Sequence, residues 1–180
     1  KYYGKTRSER HNELINFAIK GAITQAQHAR DIAGRDAVLH MNILWEMGGA
    51  EKILTETLEK ASDIIDGVTC GAGMPYKLSE ISARYGVYYY PIVSSARAFN
   101  ALWKRSYRKT SDFLGGVVYE DPWLAGGHNG LSNSENPLSP EPPYPRVKEL
   151  RSLMNQFNLQ EVPIITVSYT HLRAHETHLN

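Results

Sequence analysis

Residues 67–93 read GVTCGAGMPYKLSEISARYGVYYYPIV, and the fold follows from how this stretch divides. Gly67-Val68-Thr69-Cys70 is a short apolar strand, Gly71-Ala72-Gly73 is a turn, and Met74-Pro75 opens a helix that runs from about Lys77 to Tyr85. Val87–Val93 then forms a second strand of β-branched and aromatic residues. Strand, helix and strand in fewer than thirty residues make a βαβ unit, whose two strands run parallel and whose crossover is right-handed.

The same unit recurs on both sides. Upstream, apolar residues from Leu14 to Ala29 recur at spacings of three and four, which predicts one long helix from Ser8 to about Ala33, closed by Gly34. Residues 37–45 (AVLHMNILW) form a nearly continuous apolar run, as in a strand buried on both faces, with Asn42 as its polar exception. Gly48-Gly49 breaks the chain before a helix over Ala50–Ile65. Downstream, Ser94-Ser95 caps a helix from Ala96 to about Lys109, and Leu114–Glu120 (LGGVVYE) is a further strand. A loop rich in Gly, Pro, Asn and Ser, from Asp121 to about Pro145, leads to a helix over Arg146–Phe157 and a fifth apolar run, Val162–Thr166. The expected class is α/β, with five parallel strands near 38–44, 67–70, 87–93, 114–120 and 162–166 and helices outside them. A complete (β/α)8 TIM barrel takes about 250 residues. Five strands therefore match part of one, with residues 1 to about 166 as the central portion. Gly48-Gly49, Gly71-Ala72-Gly73, Ser94-Ser95 and Gly126-Gly127-His128 all follow strand C-terminal ends, the functional rim of such folds.

Bulk properties narrow the partner. Twenty Lys and Arg against 19 Asp and Glu leave a net charge of +1, so no global field draws nucleic acid or an anionic membrane, and a small molecule fits better. The single cysteine, Cys70, makes no internal disulfide and points to a reducing compartment. The opening KYYGKTRSERHNE is polar and reads as neither signal peptide nor membrane anchor, so a cytoplasmic location is expected.

Residues 167–180 (VSYTHLRAHETHLN) abandon the pattern where a turn and helix are due. His171, His175 and His178 would share a helix face, a spacing compatible with a metal. The segment resembles translated adapter sequence instead, and is read as foreign to the fold with no metal assigned.

The sharpest chemical signal is residues 120–130, EDPWLAGGHNG. Gly126 and Gly127 let backbone N–H groups approach a ligand, while His128 beside them can exchange protons near neutral pH. A loop histidine hydrogen-bonded to backbone beside turn glycines is the plain alternative.

Three ordered segments, GVTCGAGMP, PIVSSARAFNALWKR and AGGHNG, together with the MNIL strand, resemble the flavin-dependent nitronate monooxygenases (2-nitropropane dioxygenases). The resemblance covers residues 1 to about 166 and implies FMN as cofactor. It implies that Asn42 hydrogen-bonds the FMN, that Glu120 faces the flavin, that Gly126 and Gly127 approach it through their backbone, and that His128 is the catalytic base. The substrates so implied are an alkyl nitronate or nitroalkane and O₂. It also implies that the family's first strands and its phosphate-binding loops lie outside this stretch. An NAD(P)H-dependent flavin enoyl reductase on the same scaffold, sharing an AGGH loop, is the second reading, and a flavin-free binding module is the third.

Other residues have plainer roles. Cys70 reads as a small core residue, and Tyr88-Tyr89-Tyr90 as packing between sheet and helices. Arg97, Lys104, Arg105, Arg108 and Lys109, interleaved with Phe99, Trp103 and Tyr107, suggest an RNA-binding helix, but the same segment fits an ordinary barrel helix with a solvated face.

Overall fold

Among residues 3–71, 73–124, 131 and 135–167, which the computed structural model describes, strands and helices alternate as expected. The order is α1 (Arg7–Ala33), β1 (His40–Leu44), α2 (Ala50–Ala61), β2 (Gly67–Gly71), α3 (Leu78–Arg84), β3 (Tyr88–Val93), α4 (Ala96–Arg105), β4 (Val117–Glu120), α5 (Pro143–Gln156) and β5 (Ile164–Val167). The sheet order is β1-β2-β3-β4-β5 and every neighbouring pair is parallel. A doubly wound open sheet reverses its strand order at a switch point, whereas a barrel winds one way. This chain winds one way, and it is part of a (β/α) barrel.

Local chemistry sets the element ends. Thr6 and Glu9 form a reciprocal capping box at the start of α1, and Ser95 Oγ accepts the Ala98 N–H at the start of α4. The fourth helix stops at Arg105, short of the expected Lys109. Ser106 is drawn inward to meet Ser79, Oγ to Oγ at 3.0 Å, and two 3-10 turns follow over Tyr107–Lys109 and Ser111–Phe113. Strand β4 begins at Val117 and not at Leu114, which keeps only an isolated parallel bridge to Tyr89, and the Tyr90 ring lies over the intervening Gly115 and Gly116. Val167, assigned from sequence to the tail, is the last residue of β5 and pairs with Glu120. Residues 168–180, including the three histidines, lie outside the described residues.

The strands are not buried on both faces. Ile43, Val68, Cys70, Tyr89, Val93, Val117 and Tyr119 point to the helices and are buried. On the opposite, concave face His40, Asn42, Leu44, Tyr88 and Ile165 are exposed, Thr69, Tyr90, Ile92 and Glu120 are half-buried, and Val118 is buried. Only opposing strands of a closed barrel could cover that face, and the five present here leave it open. The tyrosine run splits accordingly. Tyr89 packs edge-on against Tyr107 at 4.9 Å, but Tyr88 and Tyr90 point to the concave side, so the expected packing of all three against helices holds for one.

The concave face records the curl. The His40 ring lies 4.3 Å from the Tyr90 ring, although the register pairs Tyr90 with Thr69 and Thr69 with Asn42. The contact thus climbs two residues in crossing two strands, which matches the stagger of about one residue per strand in an eight-stranded barrel. Among the described residues no helix is long and apolar enough to cross a membrane.

Arg30, buried near the end of α1, ties the base of this structure together. Its guanidinium donates to the carbonyls of Ile64, Gly34 and Ala37 and to the Asp66 carboxylate, which also accepts the Leu39 N–H. Burial pushes the Asp66 carboxyl up, but the Leu39 N–H and the Arg30 guanidinium outweigh it and hold its pKa below the usual range. Arg30→Met should lower the free energy of unfolding by about 1–3 kcal/mol, because it leaves the carbonyls that the guanidinium satisfies without their donor, while half-exposed Asp66 keeps the Leu39 N–H. Urea denaturation checks this, and a loss under about 0.5 kcal/mol, the range of ordinary surface substitutions, would contradict it. Since the folded pKa of Asp66 is depressed, its contribution is complete above about pH 4 and disappears as pH falls through the folded value. Asp66→Asn should therefore flatten the acid limb of the stability profile.

Candidate active site at the strand C-terminal ends

Carrying the stagger along the sheet sorts the concave residues into levels. Asn42 of β1, Ile92 of β3 and Val167 of β5 stand at one height, and Gly71 of β2 with Glu120 of β4 stands at the next, toward the strand ends. Gly71 carries no side chain on this floor, and the Ile92 side chain fills the space where one would stand. A Cβ there would come within 2.7 Å of the Ile92 side chain. Asn42 is exposed and also borders a groove of about 240 Å³ between β1 and the Ala22, Ala26 and Ala29 face of α1. A carboxamide at one side, a carboxylate at the other and the Ile92 side chain on a strand between them offer hydrogen bonds and apolar contact to a heteroaromatic ring. By this test the residues present fit a flavin.

Below the floor, His40 and Tyr90 fill the space over Gly67 and Gly115-Gly116. Burial lowers the His40 pKa, with nearby Asp66 opposing, and its Nδ1 lies 3.3 Å from Thr69 Oγ1. Cys70 is enclosed on the helix side, and burial pushes its thiol up to about 12, so it serves as the core residue expected from sequence. In α4, Phe99 is buried, Trp103 stacks on Phe157 at 5.0 Å, and Arg105 covers the Tyr76 ring. The helix carries its aromatics into packing.

The exit from β4 is fixed by groups that sequence reasoning passed over. Asp121 is buried, and its Oδ1 accepts the N–H groups of Trp123 and Leu124, both at 3.0 Å. Trp123 Nε1 donates to the Asn136 carbonyl, joining the beginning of the long loop to its later part. Arg146, in the first turn of α5, lies over the Trp123 ring. It also donates to the Ser94 carbonyl at the end of β3 and pairs with Glu135 and Glu141. Burial alone would lower its pKa, but the hydrogen bonds it donates to these two carboxylates raise it beyond its ordinary value. One signal was available: a cation in a first helical turn opposes the macrodipole, so another partner must hold it there.

The structure therefore brings Asn42 and Glu120 to one concave face. Gly126, Gly127 and His128 lie outside the described residues, between Leu124 and residue 131 of the loop that leaves β4.

No protein-family model matches the chain, and no curated protein matches it significantly. Solved structures do match. FabK from Thermotoga maritima aligns with a TM-score of 0.51 at 20% identity, covering 73% of this chain and 34% of that one. A point mutant of the same FabK aligns with a TM-score of 0.52 at 17% identity, covering 83% and 48%. The chain thus spans between a third and a half of the structures it matches, and at these identities the likeness is one of fold.

Two glycines should respond oppositely to alanine. Gly71→Ala should destabilise by about 1–3 kcal/mol, because its Cβ drives into Ile92. Gly21→Ala, in the middle of α1 with nothing near the added Cβ, should stabilise by roughly 0.5–1 kcal/mol. Parallel urea titrations decide the matter, and a neutral Gly71→Ala would mean the floor is not close-packed.

Proposed function

We propose that this chain is the central part of a flavin-dependent oxidoreductase of the nitronate monooxygenase type, acting on nitroalkanes or alkyl nitronates with O₂. The observation that carries the reading is the concave face itself: Asn42 of β1 and Glu120 of β4 both stand on it in the C-terminal halves of their strands, with Gly71 and Ile92 on the strands between them. The loop bearing the sequence AGGH leaves that same rim directly after Glu120. The barrel architecture shared with FabK supports the scaffold.

In this reading Asn42 donates from its carboxamide to the edge of the bound ring, Glu120 faces the ring from the other side, and Gly126-Gly127 offer backbone N–H groups to it. Bound FMN would supply the two-electron acceptance and the transfer to O₂ that side chains do not provide. The chain's own task is the proton. The imidazole of His128 takes the α-proton of a neutral nitroalkane, leaving the carbon's electron pair delocalised onto the nitro group as a nitronate. A nitronate supplied directly has already lost that proton. An NAD(P)H-dependent flavin reductase would use the same floor.

His128→Ala in the full-length protein should lower kcat/KM for a neutral nitroalkane by about 10²–10⁴-fold, the usual contribution of a general base, and leave flavin bound. Turnover of the preformed nitronate should fall much less. Equal losses for both substrates would remove His128 from the base role. Rapid reduction by NAD(P)H with no turnover of either nitro compound would select the reductase instead.

A further inference from the structure

Below the floor, the imidazole of His40 brings three strands into contact. His40 opens β1, and its ring meets the Tyr90 ring of β3 with centroids 4.3 Å apart and planes tilted by 42°. The two rings can meet over β2 because Gly67 has no side chain: a Cβ there would stand 2.6 Å from His40 Nε2 and 2.9 Å from Tyr90 Cε2. On its other side the imidazole presents Nδ1 to Thr69 Oγ1 at 3.3 Å. Nε2 lies against bare backbone and a phenol ring, and among the described residues it makes no hydrogen bond. A neutral imidazole suits this place. With its proton on Nδ1 it donates to Thr69, and Nε2 is left as a lone pair. A second proton would put an N–H on Nε2 with no described acceptor, and a charge on a ring that Gly67 and Tyr90 partly shield from water. The height of the cluster also matters, since the N-terminal ends of barrel strands serve stability and not catalysis.

We propose that His40 is a pH-sensitive wedge in the sheet: as a neutral imidazole it braces β1 against β3 across Gly67, and protonation loosens the brace and the curl that depends on it. Few charged groups face it. Burial lowers its pKa and outweighs the one nearby anion, Asp66, which stands just before β2. That carboxylate is already engaged by Arg30 of α1 and by the Leu39 N–H. From β3 come the phenol rings of Tyr88 and Tyr90, and burial pushes the Tyr90 hydroxyl up and further from the neutral range. The α1 face beside His40 brings Gln25 and alanines, and no charge. Because the folded pKa of His40 is depressed, its contribution to stability is complete above about pH 6.5, the unfolded value, and is lost as pH falls through the folded one. The loss tied to Asp66 comes separately, below about pH 4.

Proton NMR titration of the protein, with the His40 ring signals identified by their loss in His40→Gln, tests both the charge and the contact. His40 should titrate below a histidine in an unstructured peptide, and its nuclear Overhauser contact with the Tyr90 ring should fade as the proton is taken up. Tyr90→Leu removes the ring that His40 leans on and should move its titration back toward the ordinary value. In urea, the unfolding midpoint of the wild type should fall further between about pH 7.5 and about pH 5 than that of His40→Gln, since the two differ only in this group. A His40 that titrates as in an unstructured peptide would overturn the proposal, as would a ring contact that persists in the imidazolium form. Equal pH dependence of wild type and His40→Gln would do the same. If His40→Gln does not fold, backbone-directed assignment of His40 in the wild type and in Tyr90→Leu decides the question by titration alone.

Discussion

Each crossover in this chain returns to the same side of the sheet, and the architecture depends on that constraint. With helices confined to one face and strands added in sequence order, the right-handed twist accumulates in one direction and the sheet must curl. The contact between His40 and Tyr90, two strands and two residues apart, is the local trace of that curl. Curling brings strand C-terminal ends toward a common centre. Asn42, Gly71 and Glu120, remote in sequence, become neighbouring levels of one floor for this reason and no other.

Two arginines, one buried and one half-buried, hold the two ends of the structure. At the base Arg30 bonds carbonyls of the α1–β1 and α2–β2 connections and the Asp66 carboxylate, so that the first helix, the first strand and the second strand share one polar node. At the rim Arg146 does the same for the end of β3, the exit from β4 and the start of α5. Loops cannot be buried without partners for their backbone polar groups, and a guanidinium with five donors is well suited to satisfy several at once. The functional end and the stability end of the barrel are thus built from the same device.

The strands and helices were legible in the sequence because period and punctuation agree, as in the stretch 67–93, where glycine, proline and β-branched residues each mark their own boundary. Asn42 was legible as a polar residue in an apolar run, and Glu120 through the resemblance. What could not be read were features set by residues far apart in the chain. The division of Tyr88, Tyr89 and Tyr90 between two faces requires knowing which face meets the helices, and the packing of the Tyr90 ring over Gly115 requires knowing which strands are neighbours. Burial of strands on both faces is a property of a closed barrel, so the apolar runs read correctly for the fold and misread the concave side of this chain. Arg146 was passed over because its partners, Ser94, Trp123 and Glu135, come together only when the loop is folded.

The proposed function turns on the concave floor holding a flavin between Asn42 and Glu120. The most direct measurement is the visible absorbance of the purified full-length protein beside its Asn42→Ala and Glu120→Ala variants, after saturation with FMN and removal of free cofactor. A protein-bound flavin spectrum is expected in the wild type and a weakened one in both variants, whose far-ultraviolet circular dichroism stays unchanged. A wild-type protein that remains colourless after saturation, or variants that retain flavin as tightly as wild type, would contradict it.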